Sequence, residues 1–320
     1  MNQSTKNAFV QLHVAVFIFG FTAILGKMIT QDHFTIVWHR MWIAAFGFLL
    51  FPHFIKALFK TSLKHFVYLL GIGCLVAVHW ITFYGSIKIG DSASLTLGCF
   101  GLTSTFTSIL EPLIYRKKFE VLELLLGLLA LIGIAIIAYF SPDNAGIGNY
   151  PLAIIVGVFS SFVAALFSTI NSTLANKIDT KVITFAELLG GFLFLSIFLV
   201  LSIDVPYILP IDSFMKVPLT DHPMFINSPY ADIIWMLILS LVCTNIAFVL
   251  NLNAMKKVSA FTANLAINLE PVYGIILAAF LLKEHHFLNP YFYFGAGIIL
   301  LSVLIHSIVK YRARKYQSNN

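Results

Sequence analysis

Charge is what this chain has least of. Asp, Glu, Lys and Arg make up 11% of its 320 residues, where a soluble domain carries about 25%. So little charge cannot clothe a water-facing surface. The hydrophobic content of 59% and the mean hydropathy of +0.90 point the same way. The chain reads as an all-α integral membrane protein. Cysteine is scarce too: Cys74, Cys99 and Cys243 each sit inside an apolar run, with no CxxC pair. That excludes a disulfide framework or a thiolate metal site and leaves three small buried hydrophobes. No phosphate-binding GxxxxGK[ST] loop is present, so ATP is not an evident energy source. There is no HExxH, and no histidine is followed by aspartate four or five residues on. His285 and His286 are adjacent but have no further ligands nearby. No metal or cofactor is called for. No convincing small-x-small cleavage site follows the apolar stretch from Ala8, which reads as an uncleaved first span.

Apolar segments between polar breaks give ten spans, at about 8–29, 34–53, 66–87, 92–115, 121–140, 151–174, 182–203, 231–253, 258–282 and 288–309. One long connection, about 204–230, carries Pro206, Pro210, Pro218, Pro223 and Pro229, which argues against a regular helix there. The net charge of +6 is distributed by membrane side and is no footprint of nucleic acid. With the N-terminus in the cytoplasm, fifteen of the 20 lysines and arginines fall on the cytoplasmic side. Lys27, Lys88, Lys216 and Lys283 fall on the other, and Arg40 lies within a span. The positive-inside rule therefore favours ten spans with both termini cytoplasmic, in the cell membrane.

The chain also repeats itself weakly at a shift of 168 residues. Ser86-Ile87-Lys88 falls on Ala254-Met255-Lys256, Thr96 on Asn264, and Gly127 on Gly295. A duplicated unit with an odd number of spans must place its second copy upside down. The expected units are 1–145 and 146–320, the second carrying the extracytoplasmic loop at 204–230. Inverted repeats of this kind build secondary transporters, with the site between the halves.

The stretch NLEPVYGIILAAFLLKEHHFLNPYFYFGAGIILLSVLI at 268–305 supports a family resemblance. Pro271, Glu284 and Gly295 fit the pattern of an EamA-type member of the drug/metabolite transporter superfamily; in the first copy Thr103 stands for the proline and Arg116 for the glutamate. The resemblance covers nearly the whole chain as two EamA-like units, about 8–140 and 151–309. It implies ten helices in two inverted five-helix repeats, a central cavity and transport of metabolites, often export.

Ionisable groups in a span are costly unless paired or hydrated, so each is a candidate for function. Glu270, before Pro271, is expected near the middle of the ninth span, as a proton-titrating carboxylate, a substrate anchor or a structural acid. Asn264 and Asn268, one turn apart, form a polar stripe, and Thr96, Thr103 and Thr107 form its counterpart in the fourth span. The two stripes suit either a cavity or helix–helix hydrogen bonding. Arg40 is a candidate for bidentate binding of a substrate carboxylate, for pairing with Glu187, or for snorkelling outward. Glu187 is expected at the start of the seventh span, where a carboxylate favours a helix N-terminus. His79, Trp80 and Tyr84 are candidates for a proton shuttle and aromatic cavity walls. Gly127 and Gly133, with Gly295 and Gly297, mark spans five and ten as packing against each other or as a dimer surface.

The sequence therefore reads as a secondary carrier of small metabolites, with amino acids or their relatives the favoured substrates and export the favoured direction. Proton coupling through Glu270 or His79 is part of that expectation. Its partners are the lipid bilayer and a small-molecule substrate, with no nucleic acid, as a monomer or homodimer. The alternative is a membrane enzyme acting on a lipid-linked substrate, for which no reactive constellation is visible.

Overall fold

The structure is a computed structural model, and it describes residues 3–116, 118–140, 148–174, 177–200, 229–255, 266–267 and 269–318. The first half holds α1 (Gln3–Met28), α2 (His33–Gly47), α3 (Phe54–Lys60), α4 (Leu63–Gly90), α5 (Ala93–Phe100), α6 (Thr103–Tyr115) and α7 (Val121–Phe140). The second holds α8 (Tyr150–Leu174), α9 (Thr180–Val200), α10 (Pro229–Leu237), a π-helical stretch Ile238–Ile246, α11 (Ala247–Met255), α12 (Glu270–Leu281) and α13 (Pro290–Ser318). In a bilayer every backbone polar group must be satisfied within the segment, which leaves helices as the means of crossing. The helix starts follow the sequence: Asp32, Ser92, Asn149 and Asp179 each accept a backbone N–H from the first turn they precede.

Among the described residues seven helices are long and apolar enough to cross a membrane, and the bent pair α2–α3 would make eight. The expected ninth and tenth spans contribute shorter apolar helices, Glu270–Leu281 and Pro290–Ser302. The count of ten is thus not reached among the described residues. Part of the expected ninth span, including Asn264 and Asn268, lies outside them, as does nearly all of the 204–230 connection. The second span also ends earlier than its apolar run. The chain passes Pro52 and a left-handed His53 (φ 64°), and α3 departs from α2 at 102°. Proline cannot continue the hydrogen-bond ladder, so the apolar residues beyond it form a separate helix.

The fourth span runs as one, Ala93–Tyr115, but a turn interrupts its helix. Gly101 and Leu102 form a turn between α5 and α6, and under the 168-residue shift this turn falls on Leu269 and Glu270, where α12 begins from a turn. A left-handed residue closes the second piece in both copies, Arg116 (φ 53°) after α6 and Lys283 (φ 54°) after α12.

α4 lies at the centre, packed along α8 and α9, while α1 packs on α11 and α12, and α7 on α13. Small residues allow these approaches, as is usual between membrane helices. A Cβ on Gly133 would lie 2.7 Å from the Gly295 carbonyl, and one on Gly295 would lie 2.5 Å from the Gly133 carbonyl. Spans five and ten thus pack together through these glycines. The largest core cluster joins Ile24, Met41, Trp80, Tyr84, Leu97 and Leu239 from helices of both halves. Large apolar side chains face outward along α7, among them Leu125, Leu128 and Ile132, as a lipid-facing surface requires.

Candidate functional site

Arg40 sits two turns into α2 and is only 4% exposed. A buried guanidinium needs partners, and α4 and the π-helical stretch supply them. Nε donates to Thr244 Oγ1 at 3.0 Å and Nη1 donates to Tyr84 Oη at 2.6 Å. The guanidinium carbon lies 3.8 Å from the centroid of the Trp80 ring and 5.8 Å from that of Tyr84, so a cation–π contact holds its plane. Arg40 does not snorkel outward, and it makes no ion pair with Glu187 among the described residues. Among the described residues two of its five N–H groups are engaged by protein, which leaves the rest of the fork for an incoming acceptor.

The residues around Arg40 are themselves positioned. Thr244 belongs to the π-helical stretch and donates its hydroxyl to Leu239 O at 3.0 Å, five residues back. Such wide turns are frequent at functional sites. Tyr84 is fully buried, and its ring lies directly against Gly26 of α1, where a Cβ would overlap it. Glu270 opens α12, half-buried, after the break at Leu269. Its carboxylate thus stands at a helix N-terminus, where the helix dipole favours it. Glu270 lies near Arg40 and Tyr84 without a direct ion pair among the described residues. Its repeat mate is Leu102, so this carboxylate belongs to one copy only.

The structure therefore gathers Arg40, Trp80 and Tyr84 with Glu270 nearby, and adds Gly26 and Thr244. Thr244 was missed, since a threonine in a span is ordinary and its partner Arg40 lies 204 residues away along the chain. The other expected site residues are placed differently. His79 is buried, with Nδ1 at 2.8 Å from Ser160 Oγ, and its ring stacks on Phe100 at 5.7 Å. Ser160 Oγ donates back to His79 O at 2.9 Å. Thr96 is buried and shares a 2.8 Å bond with Ser86, whose hydroxyl also donates to Ala153 O. Thr103 and Thr107 turn their hydroxyls onto Phe100 O and Thr103 O. The threonine stripe is thus spent on helix backbone and on helix packing. Glu187 is not at a helix start: α9 begins at Thr180, and Glu187 is buried two turns in, 7% exposed.

A second polar cluster ties the helix ends. Glu284, 2% exposed, accepts from the backbone N–H of Ala93 (2.8 Å) and Ser94 (2.9 Å) and from Ser92 Oγ (3.1 Å), so it caps α5. Lys27 bridges it at 3.3 Å and also reaches the Asp91 carboxylate at 3.4 Å. Nearby, Lys88 donates to Ile29 O, and Asp232 accepts from Thr30 N at 3.0 Å. Lys27 and Lys88, assigned to the same membrane side by charge, do share one end of the bundle. Among the described residues no group of three or more His, Cys, Asp or Glu side chains is placed to hold a metal ion.

Comparison with known proteins agrees with this architecture. The model of the EamA-like transporter family matches twice, over residues 8–139 and 151–308. A relative described as an uncharacterized transporter, from Clostridium kluyveri, is 22% identical over 318 residues, covering 97% of this chain and 94% of the relative. A solved crystal structure, described only as that of a protein, shares the fold with a TM-score of 0.59 at 12% identity, covering 96% of this chain and 99% of the other.

Proposed function

Because the chain belongs to the EamA-like transporter family, and is thus a membrane transporter and not an enzyme, we propose that it carries amino acids or closely related zwitterions between two inverted five-helix units, 1–145 and 146–320. The family membership sets aside the reading as an enzyme on a lipid-linked substrate. The observation that supports the substrate class is the nearness of two unlike charges that make no direct ion pair with each other. Arg40 is anchored by Thr244, Tyr84 and Trp80 with part of its fork unused, and Glu270 stands within reach of its charge. A carboxylate suits the free N–H groups of Arg40, since guanidinium–carboxylate pairs are short and directional. The ammonium group of the same molecule suits Glu270. Trp80 and Tyr84 offer apolar surface to the side chain.

Alternating access follows from the repeat. The two copies share breaks and turns, and rocking one five-helix unit against the other would expose the site to each side in turn. In this account the expected ninth and tenth spans complete the second unit, both termini are cytoplasmic, and the physiological direction is export. Coupling is to protons.

The test is release from liposomes. The purified full chain is reconstituted, loaded with a labelled mixture of amino acids and small metabolites, and release is followed with and without an imposed pH gradient. Selective release of amino acids that responds to the gradient is the expected result. Release confined to compounds lacking either charge would overturn the substrate reading, and release indifferent to the gradient would overturn the coupling.

A further inference from the structure

Glu187 is a buried carboxyl that the substrate site does not use. It lies in α9, on the side facing α4, and its own carbonyl abuts Gly73. This contact joins the two units, since α4 belongs to the first and α9 to the second. Glycines hold the helices close here: a Cβ on Gly191 would lie 2.5 Å from the sulfur of Met41 and 2.8 Å from Gly73 O. The hydrogen-bonding partner of Glu187 is the amide of Asn171 from α8. Its Oε1 has no partner, and neither has the Asn171 Oδ1.

Among the described residues no cation pairs with this carboxyl. The titratable groups on the neighbouring stretches are Lys64, His65, Tyr68 and Cys74 of α4, His39 and Arg40 of α2, Lys56 and Lys60 of the short α3, and Tyr115 of α6, which donates to Thr169 O. None of them forms an ion pair with Glu187 among the described residues. α8 carries no charged residue between Tyr150 and Leu174. An unpaired carboxylate is costly inside a membrane, so the group rests as the neutral acid.

Asn171 can serve both protonation states. Its NH2 donates to the carboxylate, and a half-turn of the amide presents Oδ1 to the O–H of the acid; the two amide orientations exchange which atom is left over. A structural carboxyl in a helix interface would have all its oxygens engaged. Here one oxygen on each partner is left over.

We propose that Glu187, with Asn171 as its two-way partner, is the proton-carrying site of this transporter, at the contact between the two units and separate from the Arg40 site. The carboxylate takes up one proton to become the neutral acid, and the neutral acid gives that proton up to return to the carboxylate, with no other bond made or broken. Proton loss leaves an unpaired charge beside Asn171 of α8, next to the α4–α9 contact, which favours an arrangement that admits water there. His79 is bonded to Ser160, and Glu270 is held as the partner of a bound ammonium, so neither replaces it. The proposal rests on the carrier reading above for its consequence in transport, but not for the existence of the site.

The experiment uses the full chain in liposomes and needs no substrate in its first arm. Infrared difference spectra between alkaline and acidic buffer should show a carboxylic-acid carbonyl band that titrates. The band should vanish in Glu187→Gln, shift in Glu187→Asp, and persist in Glu270→Gln. Absence of a titrating band in the wild type, or its survival in Glu187→Gln, would overturn the proposal. If the glutamine variant does not fold, an unmoved band in Glu187→Asp has the same force. In the second arm, amino-acid release from Glu187→Gln liposomes should no longer respond to a pH gradient, and a retained response would overturn the coupling role. Failure of the wild type to release any amino acid would defeat the substrate reading, while the infrared result would still decide the site.

Discussion

Gly26 of α1 lies directly against the ring of Tyr84 in α4, and Tyr84 Oη receives Nη1 of Arg40 at 2.6 Å. A residue without a side chain thus sets the place of the proposed substrate anchor. In Gly26→Ala the added methyl overlaps the Tyr84 ring, which is fully buried and cannot swing away. Overpacking of this kind costs about 1–3 kcal/mol. The expected outcome is a lower Tm in detergent together with a raised KM for release. A raised KM with unchanged Tm would mean that the ring yields easily.

Arg40→Lys keeps the positive charge but loses the planar fork and its stacking on Trp80. Loss of a charge-assisted bond of about 1.5–3 kcal/mol corresponds to roughly ten- to a hundredfold weaker binding. Competition between labelled and unlabelled amino acid in proteoliposomes reads this directly. Arg40→Met should be worse than lysine, since Tyr84 Oη and Thr244 Oγ1 both lose their partner.

Glu284 is expected to matter for stability. Its carboxylate satisfies two backbone N–H groups of α5 and neutralises Lys27 at 3.3 Å. Glu284→Ala leaves Lys27 with Asp91 alone and uncaps α5. Breaking a buried pair from one side costs about 3–5 kcal/mol. Glu284→Gln keeps the shape and some of the bonds, so its Tm should fall less. Equal Tm for both variants would contradict the capping role.

How far the sequence could be read depended on the range of each interaction. Apolar runs located α1, α4, α7, α8 and α9, because crossing a bilayer is a property of one segment. The glycines at 127, 133 and 295 marked the α7–α13 contact for the same local reason. The break after Phe51 was already written in Pro52, yet the apolar residues beyond it disguised it. The turn at Gly101 and Leu102 gave no warning, since neither residue forbids a helix. Arg40, Trp80 and Tyr84 were legible as rare polar or aromatic groups. Their assembly was not, because Thr244 lies 204 residues from Arg40. Glu187 was misjudged for a simpler reason: Asp179 caps α9 earlier than the apolar run starts, so the carboxyl falls two turns deep.

His79 offers a contrast with the acids. Its Nδ1 is engaged by Ser160 and its ring is packed on Phe100, so His79→Gln should lower stability by about 1 kcal/mol, the loss of one buried hydrogen bond. The pH dependence of release should be unchanged. A flattened pH profile in this variant would return the proton role to the imidazole.

The most direct test of the central claim varies the substrate and the two charges together. Release of a labelled amino acid is measured against competition by the parent amino acid, its carboxamide and its des-amino acid, in wild type, Arg40→Met and Glu270→Gln. The account predicts that the wild type discriminates against both analogues. Arg40→Met should lose discrimination against the carboxamide alone, and Glu270→Gln against the des-amino acid alone. Wild-type release competed equally by all three compounds would contradict the assignment of the carboxylate to Arg40 and the ammonium to Glu270.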